Sequence, residues 1–161
     1  MNGVRLIAVL LLGVATSAAT PPPKPSADSV RSDVQAFVKT YVEVQNKFDA
    51  TATMELVSRK KPGVASIAMG DITRGWDSIR DDVDSTVGSE GRLKLALGTI
   101  DVNSLGPGFA LAFAPCTINV ITDSGELQLK GALTLVLEKS TGKWKVLHEH
   151  ISVQLPDAEG D

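Results

Sequence analysis

The chain has 161 residues, enough for one domain, and carries 16 basic against 19 acidic residues, net −3. Its only basic cluster is Arg59-Lys60-Lys61, read as a solvated turn before Pro62, so no nucleic-acid face is expected; such a face needs many clustered lysines and arginines. The single cysteine, Cys116, excludes a disulfide within the chain, and its apolar neighbours predict a buried, inert thiol.

A leader comes first. Arg5 is followed by an apolar run from Leu6 to Val14, then by the small residues Ala15-Thr16-Ser17-Ala18-Ala19. The run is shorter than the ~18–20 residues that span a bilayer, so a cleaved signal peptide, residues 1–19, is expected rather than a membrane anchor. Cleavage near Ala19 leaves 15 basic and 19 acidic residues, net −4, in a secreted or periplasmic protein. Residues 20–27 hold four of the eight prolines and predict a stiff linker. A domain over residues 28–156 and an acidic tail over 157–161 complete the expected organisation.

Val30, Val34, Phe37, Tyr41, Val44 and Phe48 recur in steps of four and three, which predicts a long helix capped by Asp28 or Ser29. Asp49 ends it or caps a short second helix through Met54, Leu56 and Val57. Pro62-Gly63 is a turn. Val64–Met69 and Ile72–Arg74 read as paired strands about Gly70-Asp71. Gly75 then leads into a third helix, with Trp76, Ile79, Val83 and Val87 on one stripe and Gly88 at its end.

Four long strands are predicted next: Arg92–Val102, Phe109–Ile121, Glu126–Glu138 and Lys143–Leu155. The turns between them combine Gly with Asn, Asp or Ser, and turns this short imply antiparallel neighbours. In the last strand, strict alternation puts Trp144, Val146, His148, His150 and Ser152 on one face and Lys145, Leu147, Glu149, Ile151 and Val153 on the other. The expected fold is α+β, in the order α-α-β-β-α-β-β-β-β: a curved antiparallel sheet wrapped around the long N-terminal helix as a cone, with a pocket at the open end.

Three stretches resemble a known family. They are the helix Val34–Val42 running on to Asp49, the segment Arg74-Gly75-Trp76-Asp77-Ser78-Ile79-Arg80, and Gly142-Lys143-Trp144 followed by His148-Glu149-His150-Ile151-Ser152. Together they are similar to the SnoaL-like domains of the nuclear transport factor two-like superfamily, which also holds ketosteroid isomerase and the association domain of calmodulin-dependent kinase. The resemblance implies a cone-shaped domain, often a homodimer through the outer face of its sheet. It fixes no reaction, because the fold hosts enzymes, binders and assembly modules.

Isomerase chemistry needs a carboxylate base and donors facing an oxyanion. By the resemblance, Tyr41 stands where the isomerases keep a donor tyrosine; as a residue on the apolar stripe it reads first as a core aromatic with its hydroxyl at a polar rim. The base is expected on the first strand, where this chain has Ala65, Ser66 and Ile67 and no acid before Asp71. An arginine common in SnoaL-like sequences is replaced by Ala132, two residues before Thr134.

His148 and His150 have three readings: metal ligands, an acid–base pair, or hydrogen-bonding residues that line the sheet. A metal needs a third ligand and the chain has no third histidine, so neither a metal nor another cofactor is expected. The sheet-lining reading is favoured. Glu149 points the other way, so a histidine–glutamate dyad within the strand is not expected. The pocket candidates are thus Tyr41, Trp76, Asp101, Trp144, His148 and His150, with no catalytic residue assigned. Trp76 and Trp144 read first as core anchors, and Asp101 as a turn residue. The expected function is binding of a small, largely apolar molecule. Acid–base catalysis as an isomerase, cyclase or dehydratase is the first alternative, and a homo-oligomeric association or partner-binding module the second.

Overall fold

A computed structural model describes residues 26–154 apart from 60–62, 69, 89–91, 123 and 124. The expected leader, most of the linker and the acidic tail lie outside these residues. Among the described residues no helix is long and apolar enough to cross a membrane.

Helix α1 spans Ala27–Gln45 and buries Val34, Val38, Tyr41 and Val42 along one stripe. Its cap is Ser26, whose hydroxyl accepts from the Ser29 amide at 3.2 Å, two or three residues earlier than expected. Beyond the C-terminus the Asn46 side chain takes both backbone groups of Leu95, at 2.8 Å each. Gln35 donates to the Ile100 carbonyl at 2.8 Å. These bonds pin α1 across one end of the sheet. Helix α2, Ala50–Leu56, starts on Asp49, whose carboxylate accepts from the Ala52 amide at 2.9 Å.

Strands β1 (Ala65–Ala68) and β2 (Asp71–Arg74) form an antiparallel hairpin. Gly75 then turns with φ 88°, a left-handed conformation that suits glycine, and starts α3, Trp76–Gly88. The predicted strand Arg92–Val102 is two strands, β3 (Arg92–Leu97) and β4 (Asp101–Gly106). Both run antiparallel to β5 (Phe109–Thr122) along the same edge. The break falls where the Gly98 amide donates to the Pro115 carbonyl at 2.8 Å. A side chain there would meet the Pro115 ring at 2.9 Å, so the chain can come this close only with glycine.

The long strands β6 (Gly125–Ser140) and β7 (Lys143–Gln154) continue the meander. β7 also pairs in parallel with β1, which makes the sheet mixed. The order is β2-β1-β7-β6-β5-β3, with β4 beside β5. The inner face carries Ala110, Ala112 and Ala114 of β5 and Leu133, Leu135 and Leu137 of β6, all buried. The alanine row leaves room for α1 to lie against the sheet, and the leucines fill the space beside it.

The alternation of β7 is interrupted. Leu137 pairs with Val146 and Val136 with His148, so Leu147 is an extra residue, a β-bulge. Before it, Trp144 and Val146 are buried inside the cone; after it, Glu149 is buried and Ile151 and Val153 are half-buried beneath the core. The expected common face of Trp144, His148 and His150 is therefore corrected: the bulge sends the histidines to the outer face and turns Glu149 inward.

Candidate functional site

Tyr41 comes from the C-terminal half of α1, and Glu149 follows the bulge in β7. The Tyr41 hydroxyl donates to Glu149 Oε2 at 2.9 Å, and Gln45, one turn further along α1, donates to Glu149 Oε1 at 3.4 Å. Tyr41 is 1% and Glu149 8% exposed. Burial drives the Glu149 carboxyl above its ordinary 4.5, and the hydrogen bonds from Tyr41 and Gln45 bring it only part of the way back. The Tyr41 phenol lies well above its ordinary 10.0, first through burial, then through the charge of Glu149 and the bond to it. Gln45 Oε1 is buried without a hydrogen-bond partner. A protonated Glu149 has a proton to give, and rotation of the Gln45 amide offers that proton an acceptor.

The pair forms part of the wall of a cavity of about 40 Å³. Val57, Val64, Ile79, Val83 and Val146 supply apolar walls, and Thr53, Ser66 and Asp82 supply polar groups. That volume holds a few water molecules at most; ordinary ligand sites run to about 300–1,000 Å³. Ser66 of β1 stands in register with Glu149. The first strand lacks an acid, and the neighbouring strand presents one at the same level.

Of the sequence candidates, Tyr41 alone lines this cavity. Trp76 packs half-buried at the start of α3, under the Arg59 guanidinium at 4.3 Å, and its indole donates to the Met54 carbonyl at 3.4 Å. Trp144 is buried in the core, with the Lys139 ammonium 5.4 Å from its ring centre. Asp101 is exposed on β4, paired with the exposed Phe113. His148 is half-buried and His150 exposed on the outer face, in register with Val136 and Thr134. Burial, and then the charge of His150, lower the His148 pKa from 6.5. Burial raises the Cys116 thiol, which leaves it weakly nucleophilic. Among the described residues no three His, Cys, Asp or Glu side chains are grouped to hold a metal.

Glu149, Ser66 and Asp82 were not among the candidates. One signal for Glu149 was present: the apolar residues of β7 fall on even numbers at Trp144 and Val146 and on odd numbers at Ile151 and Val153. That change of parity marks the bulge. A second buried carboxyl, Glu138, accepts from the Ser58 hydroxyl at 2.5 Å in a separate open groove of about 650 Å³ between the end of α2 and the β6–β7 turn.

The fold and this interior pair are those of a small α+β cone. The chain matches the SnoaL-like domain family over residues 34–156 and belongs to it. No curated protein matches the chain. Among solved structures, a protein of Streptomyces avermitilis provisionally named a dehydratase of the NTF2-like family is similar with a TM-score of 0.73 and 15% identity, over 81% of this chain and 100% of that one. An NTF2-like superfamily protein of Salmonella enterica gives 0.71 and 19%, over 84% and 100%. An uncharacterised Caulobacter vibrioides protein described as having a cystatin-like fold gives 0.63 and 24%, over 79% and 91%. At such identities the likeness is one of fold.

Proposed function

We propose that the domain binds a small, largely apolar molecule bearing one hydrogen-bonding oxygen, inside the cone against Glu149. The observation that supports this most is the buried Tyr41–Glu149 pair at an otherwise mostly apolar cavity wall. A carboxyl kept out of water with a raised pKa is costly in a core, and such groups concentrate at functional sites. The closed cavity is too small for such a ligand, so binding requires a wall to move. Helix α3 is the wall with the least hold: Ile79 is its buried anchor, with Trp76 and Val83 half-buried. The domain meets its ligand outside the cytoplasm, in keeping with the leader read at residues 1–19.

Native mass spectrometry of the protein purified from its own compartment tests this. A retained small molecule, lost when Val83→Phe fills the cavity from α3, is the expected result. Equal retention by the folded variant would move the ligand elsewhere.

We also propose a homodimer through the outer sheet face. It is favoured by the exposure of Phe113 (39%) on the outer face of β5. Light scattering at micromolar concentration tests it, and a strict monomer would refute it.

A further inference from the structure

We propose a second binding site, at the far end of α1 from Tyr41, for a small carboxylate with an apolar body, held by the Lys139 ammonium and the indole N–H of Trp144. A cavity of about 220 Å³ lies there. Val30 of α1 forms one wall, Ser104, Pro107 and two glycines around the β4–β5 turn form another, and Lys139 and Trp144 close it from β6 and β7. Val30 and Tyr41 are three turns of α1 apart, roughly 16 Å along its axis. The cavity shares no lining residue with the one at Glu149, so this site stands whether or not that cavity takes a ligand.

Lys139 and Trp144 are register partners across β6 and β7, next to the turn that joins them. Trp144 is buried, and its Nε1–H has no hydrogen-bond partner. Buried donors are nearly always satisfied, and one left without an acceptor beside a cavity is where a ligand oxygen recovers a hydrogen bond. In the empty protein that N–H is sealed from solvent, and Lys139 controls the way to it. The Lys139 ammonium lies 5.4 Å from the indole ring centre and 3.7 Å from Asp33 Oδ2 of α1. The Lys139 and Asp33 side chains are 32% and 55% exposed, and an ion pair this long and this open to water holds weakly. Lys139 can therefore exchange Asp33 for the carboxylate of a ligand, and its swing opens the edge of the indole. One carboxylate oxygen then takes the ammonium and the other accepts from the Trp144 N–H. Both groups donate and neither accepts, which selects an anion over a neutral ligand of the same shape. Val30, Pro107 and the indole supply the surface for the apolar body. The volume is below the ~300–1,000 Å³ of sites for larger ligands and suits a molecule of a single ring.

The probe is benzoate, with benzyl alcohol as its uncharged counterpart. Binding is followed through the indole N–H resonances of the two tryptophans in proton–nitrogen NMR spectra, assigned with Trp76→Phe. The expected result is a saturable downfield shift of the Trp144 resonance on adding benzoate, with the Trp76 resonance unmoved and little response to benzyl alcohol. Lys139→Gln should weaken benzoate binding about tenfold. Asp33→Asn removes the competing carboxylate and should tighten it, an effect that a purely structural role for the ion pair would not produce. Both side chains reach solvent, so neither change disturbs the core. Lys130→Gln, exposed on β6 and outside the cavity lining, should leave binding unaltered. A Trp144 resonance that benzoate does not move overturns the site. An equal response to benzyl alcohol, an affinity unchanged in Lys139→Gln, or one not raised in Asp33→Asn overturns the pairing of a carboxylate with Lys139.

Discussion

Tyr41 and Glu149 are 108 positions apart in sequence and 2.9 Å apart in space, joined by one hydrogen bond inside the cone. A single extra residue in β7, Leu147, makes that bond possible. Without it, alternation would hold Glu149 on the face opposite Trp144 and Val146, outside the core. The functional reading of the domain depends on that turn of the strand.

Tyr41→Phe removes the donor and leaves the buried carboxyl with the longer hydrogen bond from Gln45. Loss of one partner from a buried polar pair destabilises by about 1–3 kcal/mol. Urea unfolding of the variant should show a lower midpoint with an unchanged slope, because the surface exposed on unfolding stays the same.

The stability of the wild type should depend on the protonation of Glu149. Its folded pKa lies above the ordinary 4.5, so between those two values the folded state holds more protons than the unfolded one. The contribution is therefore complete below the ordinary value and is lost as pH rises through the folded value. Glu149→Gln keeps the shape and cannot ionise. Its unfolding free energy, compared with the wild type across this range, should fall less as pH rises.

His148 acts in the opposite sense. Its folded pKa is below 6.5, so stability is present above 6.5 and is lost as pH falls through the folded value. His148→Asn should be less sensitive to mild acid than the wild type, as read by thermal melts at stepped pH. The charged and titratable residues to control for on this outer face include Arg74 of β2, which like His148 is a register partner of Ala65, together with His150, Asp101, Lys94 and Lys130, which lie on β7, β4, β3 and β6.

Gly131 lies in the middle of β6, opposite Cys116 on one side and Val153 on the other. A side chain there would sit 2.4 Å from the Ser152 carbonyl oxygen, a backbone atom that cannot step aside. Gly131→Ala should cost about 1–3 kcal/mol in denaturant unfolding, the usual penalty of forcing extra volume into a packed sheet.

Much of this architecture was legible in the sequence because it rests on periodicity. The stripe through Val34 and Tyr41 marked α1, and Asp49 marked the start of α2. The glycine-rich turns marked the meander, and the Gly142-Lys143-Trp144 and His148–Ser152 pattern led to the family. Two features were hidden because each depends on a tertiary contact. The split of the first long strand follows from the approach of Gly98 to Pro115, 17 residues ahead in the chain and visible only once β3 and β5 pair. The bulge at Leu147 follows from the need of β7 to bury Val146 and Ile151 on the same side although their numbers differ in parity. Strict alternation across that bulge drew attention to the histidines and away from Glu149. Tyr41 was recognised because its position on the helix stripe fixed its direction; its partner came from a strand whose phase changes midway.

The most direct test of the account is a carbon-13 NMR titration of the Glu149 carboxyl in the folded wild type, assigned by comparison with Glu149→Gln. The account predicts a midpoint above the ordinary glutamate value of 4.5, moving higher still in Tyr41→Phe, because the phenol's hydrogen bond favours the ionised form. A midpoint at or below 4.5, or one unmoved by loss of the phenol, would contradict the claim that the cone holds a buried carboxyl paired to Tyr41.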